Sequence, residues 1–440
     1  MKATSIESRA WATIFLITVA SDVLAGAVRY YASLAGVASI AYLPKVLCIG
    51  WVMYALLKRP RPTLVLIGLY ALTEAFVALS NGVQSASILF WLWTLAPMFF
   101  ALTAPPDALA AIRTRPVFTA FVALTVLCCV GIFLSGVTTL PWVGEKVSVG
   151  GHAVKMASAS YVGVASPRLT GFGRDSATVA LMAGLLTAWV FMNVRSKLLG
   201  VLLIVGAGAA IYATTNKTAP VALAVVVVAR CMFSSTHGYR RTCLAAVAVA
   251  TLLPLASFLV VAASNLPDRG FLTLSSFQDR MINTWPLLIE SIVKGGYVWL
   301  GLGPGGFGSA GTYYESPFGF NVSYADNLVL YVVANVGILG ASVLLAYMVR
   351  LLLTTRSNDR AAWAILLYIL FAGASTDVFE SIGCLLFLGL SVGLLRQRQM
   401  GDRALVWPSM SSASALPWRE RPRDMNPFDP ARAADGGYVK

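Results

Sequence analysis

The chain has 440 residues, of which 58% are hydrophobic and only 12% charged, and its mean hydropathy is +0.75. That composition excludes an ordinary water-soluble domain and points to a polytopic membrane protein. The 33 Lys and Arg against 19 Asp and Glu give a net charge of +14, which the loop pattern below assigns to anionic lipid at the inner face and not to nucleic acid.

The apolar runs are long and continuous rather than alternating, so they read as helices, each needing about 20 residues to cross a bilayer. Spans are expected near 10–28, 35–57, 63–80, 85–103, 117–136, 175–192, 197–214, 218–235, 241–263, 326–349, 360–374 and 378–395, about twelve in an all-α bundle. The pair over 360–395 turns at Ser375, Thr376, Asp377 and Glu380. The first span lacks a small-residue cleavage site and reads as a retained helix. Residues 1–395 form the transmembrane domain, and the Pro-, Arg- and Ser-rich segment 396–440 reads as a disordered basic tail.

Lys and Arg concentrate in alternate loops. Lys58, Arg59 and Arg61 form one set, Arg113 and Arg115 another, then Arg195 and Lys197, Arg230, Arg240 and Arg241, and Arg350, Arg356 and Arg360. Both termini are therefore expected in the cytoplasm of a bacterium, with the protein in the inner membrane. The loops at about 137–174 and 264–325 then face the periplasm, the second being large and partly helical. The basic residues that break this bias lie outward, and they suggest an anionic ligand there.

Taken along the chain, the first candidate is Lys45 in an apolar stretch, with Asp22 and Glu74 at comparable depth. Intramembrane ionisable groups signal function by default, but a structural ion pair inside the bundle explains them as well. The first outer loop ends in Arg168-Leu169-Thr170-Gly171-Phe172-Gly173-Arg174-Asp175-Ser176. Two guanidiniums can grip phosphate bidentately, the glycines allow a close backbone approach, and a helix N-terminus follows. The plainer reading is a solvated Arg174–Asp175 pair with Asp175 as helix cap. Lys217, in the tight turn Thr214–Pro220, is either a ligand-binding cation or an interfacial lysine that snorkels.

In the large loop, Gln278–Trp285 reads as helical, with Arg280 and Trp285 near one face and Asp279 beside them. Arg with Trp suits a sugar phosphate, the indole stacking on a sugar; a membrane-surface helix anchored by Trp285 is the alternative. Gly301-x-Gly303-x-x-Gly306 matches a dinucleotide fingerprint formally, but no strand precedes it and no βαβ unit follows. A flexible or close-packed turn fits better. Asp326 and Tyr331 open the next span, where the carboxylate is either a base for a sugar hydroxyl or a first-turn acid. His152 and His237 are the only histidines and neither is compelling. No Cys/His spacing suits a metal, and no cysteine lies in either large outer loop, so no disulfide framework or cofactor is expected.

In their order, Pro44-Lys45, Arg168–Phe172, Asn216-Lys217-Thr218-Ala219, Arg280–Trp285, Gly301–Phe307 and Asp326-Asn327-Leu328 through Gly340 resemble the O-antigen ligase and Wzy-type polysaccharide polymerase superfamily over about residues 40–395. The resemblance implies a metal-independent periplasmic glycosyltransferase that uses glycan linked to undecaprenyl diphosphate. It implies catalytic roles for Arg168, Arg280 and Asp326, and substrate binding by Arg174, Lys217, Lys45, Trp285 and Tyr331. Partners would be the lipid-linked glycan, membrane lipid, a flippase and chain-length or export proteins. Asp326 stands where the ligases carry His, and Asn335 where the family carries an acid. Both departures favour a polymerase of exopolysaccharide, capsule or O-antigen over a ligase acting on lipid A–core. A transporter of lipid-linked sugar is the competing class, but it would need charges along a midplane path and no inverted repeat is visible.

Overall fold

A computed structural model describes residues 5–58, 62–149, 152–158, 168–259, 275–314, 324–355 and 357–406. The helices in chain order are α1 (Ile6–Val23), α2 (Ala25–Leu34), α3 (Leu43–Lys58), α4 (Pro62–Ser80), α5 (Ser85–Leu102), α6 (Ala108–Ile112) and α7 (Arg115–Val137). A hairpin of β1 (Lys146–Val149) and β2 (His152–Lys155) follows. Then come α8 (Ser176–Asn193), α9 (Lys197–Ala213), α10 (Thr218–Met232), α11 (Thr236–Ala256), α12 (Ser275–Asp279), α13 (Trp285–Lys294), α14 (Leu328–Thr354), α15 (Arg360–Ala372) and α16 (Ile382–Val406). The molecule is thus a helical membrane protein. Among the described residues, six helices are long and apolar enough to cross a bilayer, and the pair α1–α2, bent by 86°, makes a seventh if it is one broken span.

The core is built around α8 and α15, whose residues are buried on nearly every side. Such helices are apolar all round because no face meets a polar medium. Small residues let the helices approach: a Cβ added at Gly184 would stand 2.3 Å from the Tyr368 hydroxyl, and one at Gly389 would stand 2.4 Å from the Met98 carbonyl oxygen. Outer helices expose apolar side chains instead, among them Leu66, Leu72, Phe76 and Leu79 on α4. In water each would forfeit about 1.5–3 kcal/mol of burial, so this surface suits lipid.

Three details differ from expectation. The first outer loop contains the β-hairpin, with Lys146 opposite Lys155 and Val149 opposite His152. Alternating β-branched residues around a Gly-Gly dipeptide carry that signal in the sequence, and it lies within a chain otherwise read as all-α. Second, the span that holds Lys45 runs Ala38–Lys58 rather than from 35, with Lys45 the third residue of its helix α3. Third, α16 runs on to Val406, past the expected start of the tail at 396. The remainder of the tail, 407–440, lies outside the described residues, as do 260–274 and 315–323 of the large loop. The chain divides into one compact unit, Met1–Gln399, and a second, Met400–Lys440.

Several connections expected on one side meet at one end of the first unit. The Asn81 side-chain amide donates to the Gly301 and Leu302 carbonyls, each at 3.2 Å, and the Ser87 hydroxyl donates to Gly305 at 2.7 Å. The Thr218 and Ser375 hydroxyls lie 3.1 Å apart, and the Gly26 amide donates to the Phe172 carbonyl at 2.9 Å. At the other end, the Arg113 guanidinium bonds Asn193 at 2.7 Å and Asp359 at 3.0 Å.

Candidate functional site

The described part of the large loop opens with α12, and its helix then widens into one π-helical turn, Arg280–Thr284, before α13. A π turn inserts a residue into the register and re-aims the side chains around it. Here it directs Arg280 Nε to Asp326 Oδ2, 2.8 Å away. Five residues on, Trp285 is fully buried, and its indole N–H donates to the Ala325 carbonyl at 2.8 Å. Both ends of this turn therefore clamp the two residues that precede Asn327. The expectation that Trp285 stacks on a sugar is corrected: no face of its ring is open, and its part is to position Ala325 and Asp326.

Asp326 does not cap α14. Asn327 does so, its Oδ1 accepting from the amides of Val329 and Leu330, both at 2.9 Å. The same side chain donates to Ala250 and Ala374 carbonyls at 3.0 and 2.9 Å, tying α11 to the turn after α15. Asp326 itself has φ +47°, a left-handed conformation that non-glycine residues adopt rarely and usually where the surroundings hold it. The first-turn reading of Asp326 is thereby set aside.

The glycine run packs into a break in α14. Gly337 has φ +67° and ψ −178°, which interrupts the helix and frees its backbone. Leu302 and Gly303 amides donate to the Ala334 and Asn335 carbonyls at 2.9 and 2.8 Å, and the Ile338 amide donates to Val298 at 2.8 Å. A Cβ at Gly303 would stand 2.3 Å from the Ala78 Cα. The run is a close-packed turn that joins α4, α5 and α14.

That turn delivers Ser309, whose amide donates to Glu380 Oε1. Glu380 and Asp377 belong to the hairpin between α15 and α16, and both are half-buried. Asp377 accepts a hydrogen bond from the Asp326 amide, yet burial, with the Asp326 and Glu380 charges, holds its carboxyl well above the usual range. Its Oδ1 is buried and has no hydrogen-bond partner. Burial raises Glu380 too, against the opposing pull of the Ser309 amide and Arg174. Tyr331 is buried, stacked on Phe379 with centroids 5.5 Å apart. It walls this carboxyl group in and offers no open ring to a sugar, which corrects the expected contact.

Arg174 faces Glu380 from the first outer loop. Its side chain is 50% exposed and lies 3.6 Å from Asp175, while Asp175 Oδ1 caps α8 by accepting from Thr178 at 2.8 Å. Within its electrostatic reach are Lys45, Arg29, Asp22 and Tyr313. One Arg29 guanidinium nitrogen is buried without a hydrogen-bond partner. Lys45 also sits over the Trp93 ring, 5.7 Å from its centroid. The glycines of this loop do not open toward a ligand: Gly171, at φ +56°, would carry a Cβ 3.0 Å from the Gly131 backbone, and one at Gly173 would strike Val179. They seat the loop on α7 and α8 on either side of Phe172 and ahead of Arg174.

Arg168 belongs to a different group. It flanks a cleft of ≈ 430 Å³ that also includes Ser135, Thr138, Leu140 and Thr170. The other cation in reach is Lys217, held below its ordinary pKa by burial and then by Arg168. Lys217 lies in a turn whose Thr215 has φ +62° and whose Asn216 caps α10 by accepting from Ala219 at 2.9 Å. Of the expected residues, the structure thus brings Arg280 and Asp326 together, and Lys45 with Arg174, and Arg168 with Lys217.

Sequence reasoning missed Arg29, Asp377 and Glu380. The carboxylates were visible as charges in an apolar hairpin, and Arg29 as a cation on an expected outward side. Among the described residues, no group of His, Cys, Asp and Glu is arranged to hold a metal ion. No protein-family model matches the chain, and no curated protein matches it.

Proposed function

We propose that the chain is a polymerase of lipid-linked oligosaccharide repeat units at the periplasmic face of a bacterial inner membrane. It transfers glycan from undecaprenyl diphosphate to a sugar hydroxyl of another repeat unit. The observation that carries this reading is the line of charge at one end of the bundle: Arg280, Asp326, Asp377, Glu380, Arg174, then Lys45 and Arg29. Cations at one end of the line suit a diphosphate leaving group, and carboxyls beside them suit an attacking hydroxyl. No cofactor enters the reading. The order of motifs that resembles the O-antigen ligase and Wzy-type superfamily supports it as well.

The proposed topology has twelve spans with both termini cytoplasmic. The six long helices, the bent α1–α2 pair and five shorter apolar helices supply the segments for it. The two large loops then face the periplasm, and the basic loops the cytoplasm.

In the transfer, the acceptor oxygen forms a bond to the anomeric carbon while the bond from that carbon to the diphosphate oxygen breaks. The electron pair leaves with undecaprenyl diphosphate, and guanidiniums placed beforehand stabilise the charge that develops there. Arg174, with Lys45 and Arg29, is the group next to the carboxyls and takes that role; Arg168 and Lys217 border the entry of the second substrate.

Purified protein, given lipid-linked repeat units alone, is expected to yield longer lipid-linked chains. Product that forms only with added lipid A–core overturns the polymerase in favour of a ligase. Passage of the intact lipid-linked unit across a vesicle membrane, without any new glycosidic bond, overturns both in favour of a transporter.

A further inference from the structure

We infer that the Asp377–Glu380 carboxyl pair, and not Asp326, takes the proton from the attacking sugar hydroxyl. This rests on the glycosyl-transfer reading above.

Three carboxyls meet in this part of the site, and their partners differ. Asp326 is already engaged: Arg280 Nε lies 2.8 Å from its Oδ2. That oxygen already accepts a charge-assisted hydrogen bond, and receiving a substrate hydroxyl there would compete with the guanidinium. Glu380 is bonded by a neutral donor, the Ser309 amide. Asp377 has the Asp326 amide and one buried oxygen with no partner at all. A buried acceptor without a donor is costly, and a proton on the pair, or a substrate hydroxyl, relieves it.

The two residues lie three apart in sequence on one turn, Val378–Glu380 being a single 3-10 element. Asp377 precedes that element as its cap residue, and the Glu380 charge reaches the Asp377 carboxyl. Two carboxyls so placed repel each other when both are ionised, and they are arranged to share one proton. The charged and titratable groups that face them come from every neighbouring element. Arg280 approaches from the π turn, Tyr324 and Asp326 from the segment before the α14 cap, Tyr331 from α14, and Arg174 from the loop before α8. Of these, Arg280 is the cation that acts on Asp377 and Arg174 the one that acts on Glu380.

The step balances without another reagent. The hydroxyl oxygen attacks the anomeric carbon, its proton passes to the ionised member of the pair, and the sugar–diphosphate bond electrons leave with the lipid diphosphate. The pair then returns its proton to solvent through its half-exposed edge. Arg280 and Asp326 act as positioning residues, since the Asp326 amide holds Asp377 while Arg280 holds the Asp326 side chain.

The test is chain elongation by the purified full-length protein with lipid-linked repeat units, read as rate against pH. Glu380→Gln and Asp377→Asn each remove one member of the pair, and the double variant removes both. The double variant is expected to lose 10²–10⁴-fold in turnover, the usual range for general base catalysis, with unchanged binding of undecaprenyl diphosphate. Each single variant should move the acid limb of the profile, because the remaining carboxyl then titrates alone. Glu380→Asp keeps a carboxylate and serves as the conservative control, recovering part of the rate. Asp326→Asn should lower the rate without moving the acid limb. A double variant that binds undecaprenyl diphosphate normally and elongates at the wild-type rate overturns the assignment and leaves the polymerase reading intact. An acid limb that moves only in Asp326→Asn returns the base to Asp326. Wild-type protein that forms no glycosidic bond removes the parent reading and the assignment with it.

Discussion

Arg280 and Asp326, 46 residues apart in sequence, meet with Nε 2.8 Å from Oδ2, and the side chains are only 19% and 22% exposed. The contact joins the π turn of the large loop to the entry of α14. Asp326 also spends its own amide on Asp377. The pair thus links a loop element to the hairpin between α15 and α16 through one residue in a left-handed conformation.

This linkage predicts non-additive mutations. Arg280→Ala leaves Asp326 half-buried without its partner, and Asp326→Asn leaves Arg280 likewise. The double variant should be less impaired than the sum, with a coupling of about 0.5–3 kcal/mol in elongation rate. Arg280→Lys should rescue poorly, because the planar fork is lost. Strict additivity across the cycle would show that the contact has no part in activity.

Cysteine labelling in intact cells tests the sidedness. Single cysteines at Lys155, in β2, and at Asp279, at the end of α12, should react with an impermeant reagent. Cysteines at Arg195 and Arg240 should react only after the membrane is opened. Protection of Asp279 in intact cells removes the periplasmic site altogether.

The pKa of Asp377 carries a stability consequence of known sign. The group is raised from an ordinary value of 3.8, so the folded state binds its proton more tightly than the unfolded state does. Stability from this group is fully present below about 3.8 and declines as pH rises toward the raised folded value. Melting of the detergent-solubilised protein should therefore fall over that window. Asp377→Asn should flatten the fall and raise the melting temperature at neutral pH. An unchanged pH dependence in the variant would show that Asp377 is not held protonated.

The helical membrane class was legible because continuous apolar runs have no other stable form in a bilayer. Arg280 and Asp326 were legible as charges among apolar residues, but their contact was not, since it depends on one inserted residue in a π turn. Pattern reading assumes 3.6 residues per turn and cannot place Arg280 once that register slips. The role of Gly171 was misjudged for a related reason: a glycine admits close approach, but the sequence does not say whether a ligand or another helix approaches. The approach here is by the α7 backbone at Gly131. Asp377 and Glu380 appear in the sequence only as residues of a turn, because what sets them apart is the groups that face them from distant elements.

Trp285 separates positioning from sugar stacking. Trp285→Phe keeps an aromatic face but deletes the N–H that bonds Ala325 at 2.8 Å. The orphaned, buried carbonyl should cost about 1–3 kcal/mol of stability, with elongation falling because Asp326 is less well held. A Phe variant as stable and as active as wild type would reject the positioning role.

The two cation groups make opposite predictions about product binding. Arg174 faces Glu380, with Lys45 and Arg29 in its reach, and this is the place proposed for the departing diphosphate, whereas Arg168 stands at the cleft lined by Ser135 and Thr138 with Lys217 in its reach. Undecaprenyl diphosphate should therefore bind more weakly to Arg174→Ala and Lys45→Ala. Loss of one charge-assisted contact is worth about 1.5–3 kcal/mol, roughly 10- to 150-fold in affinity. Arg29→Ala should act in the same direction, since its unpartnered nitrogen gains a phosphate oxygen on binding. Arg168→Ala should leave product affinity unchanged and instead raise the concentration of acceptor needed for elongation. Screening separates charge from packing: added salt should narrow the gap between wild type and Arg174→Ala, because that side chain is half exposed. If Arg168→Ala alone abolishes product binding while Arg174→Ala binds normally, the leaving group lies at the cleft, and the line of charge through Glu380 serves the acceptor instead.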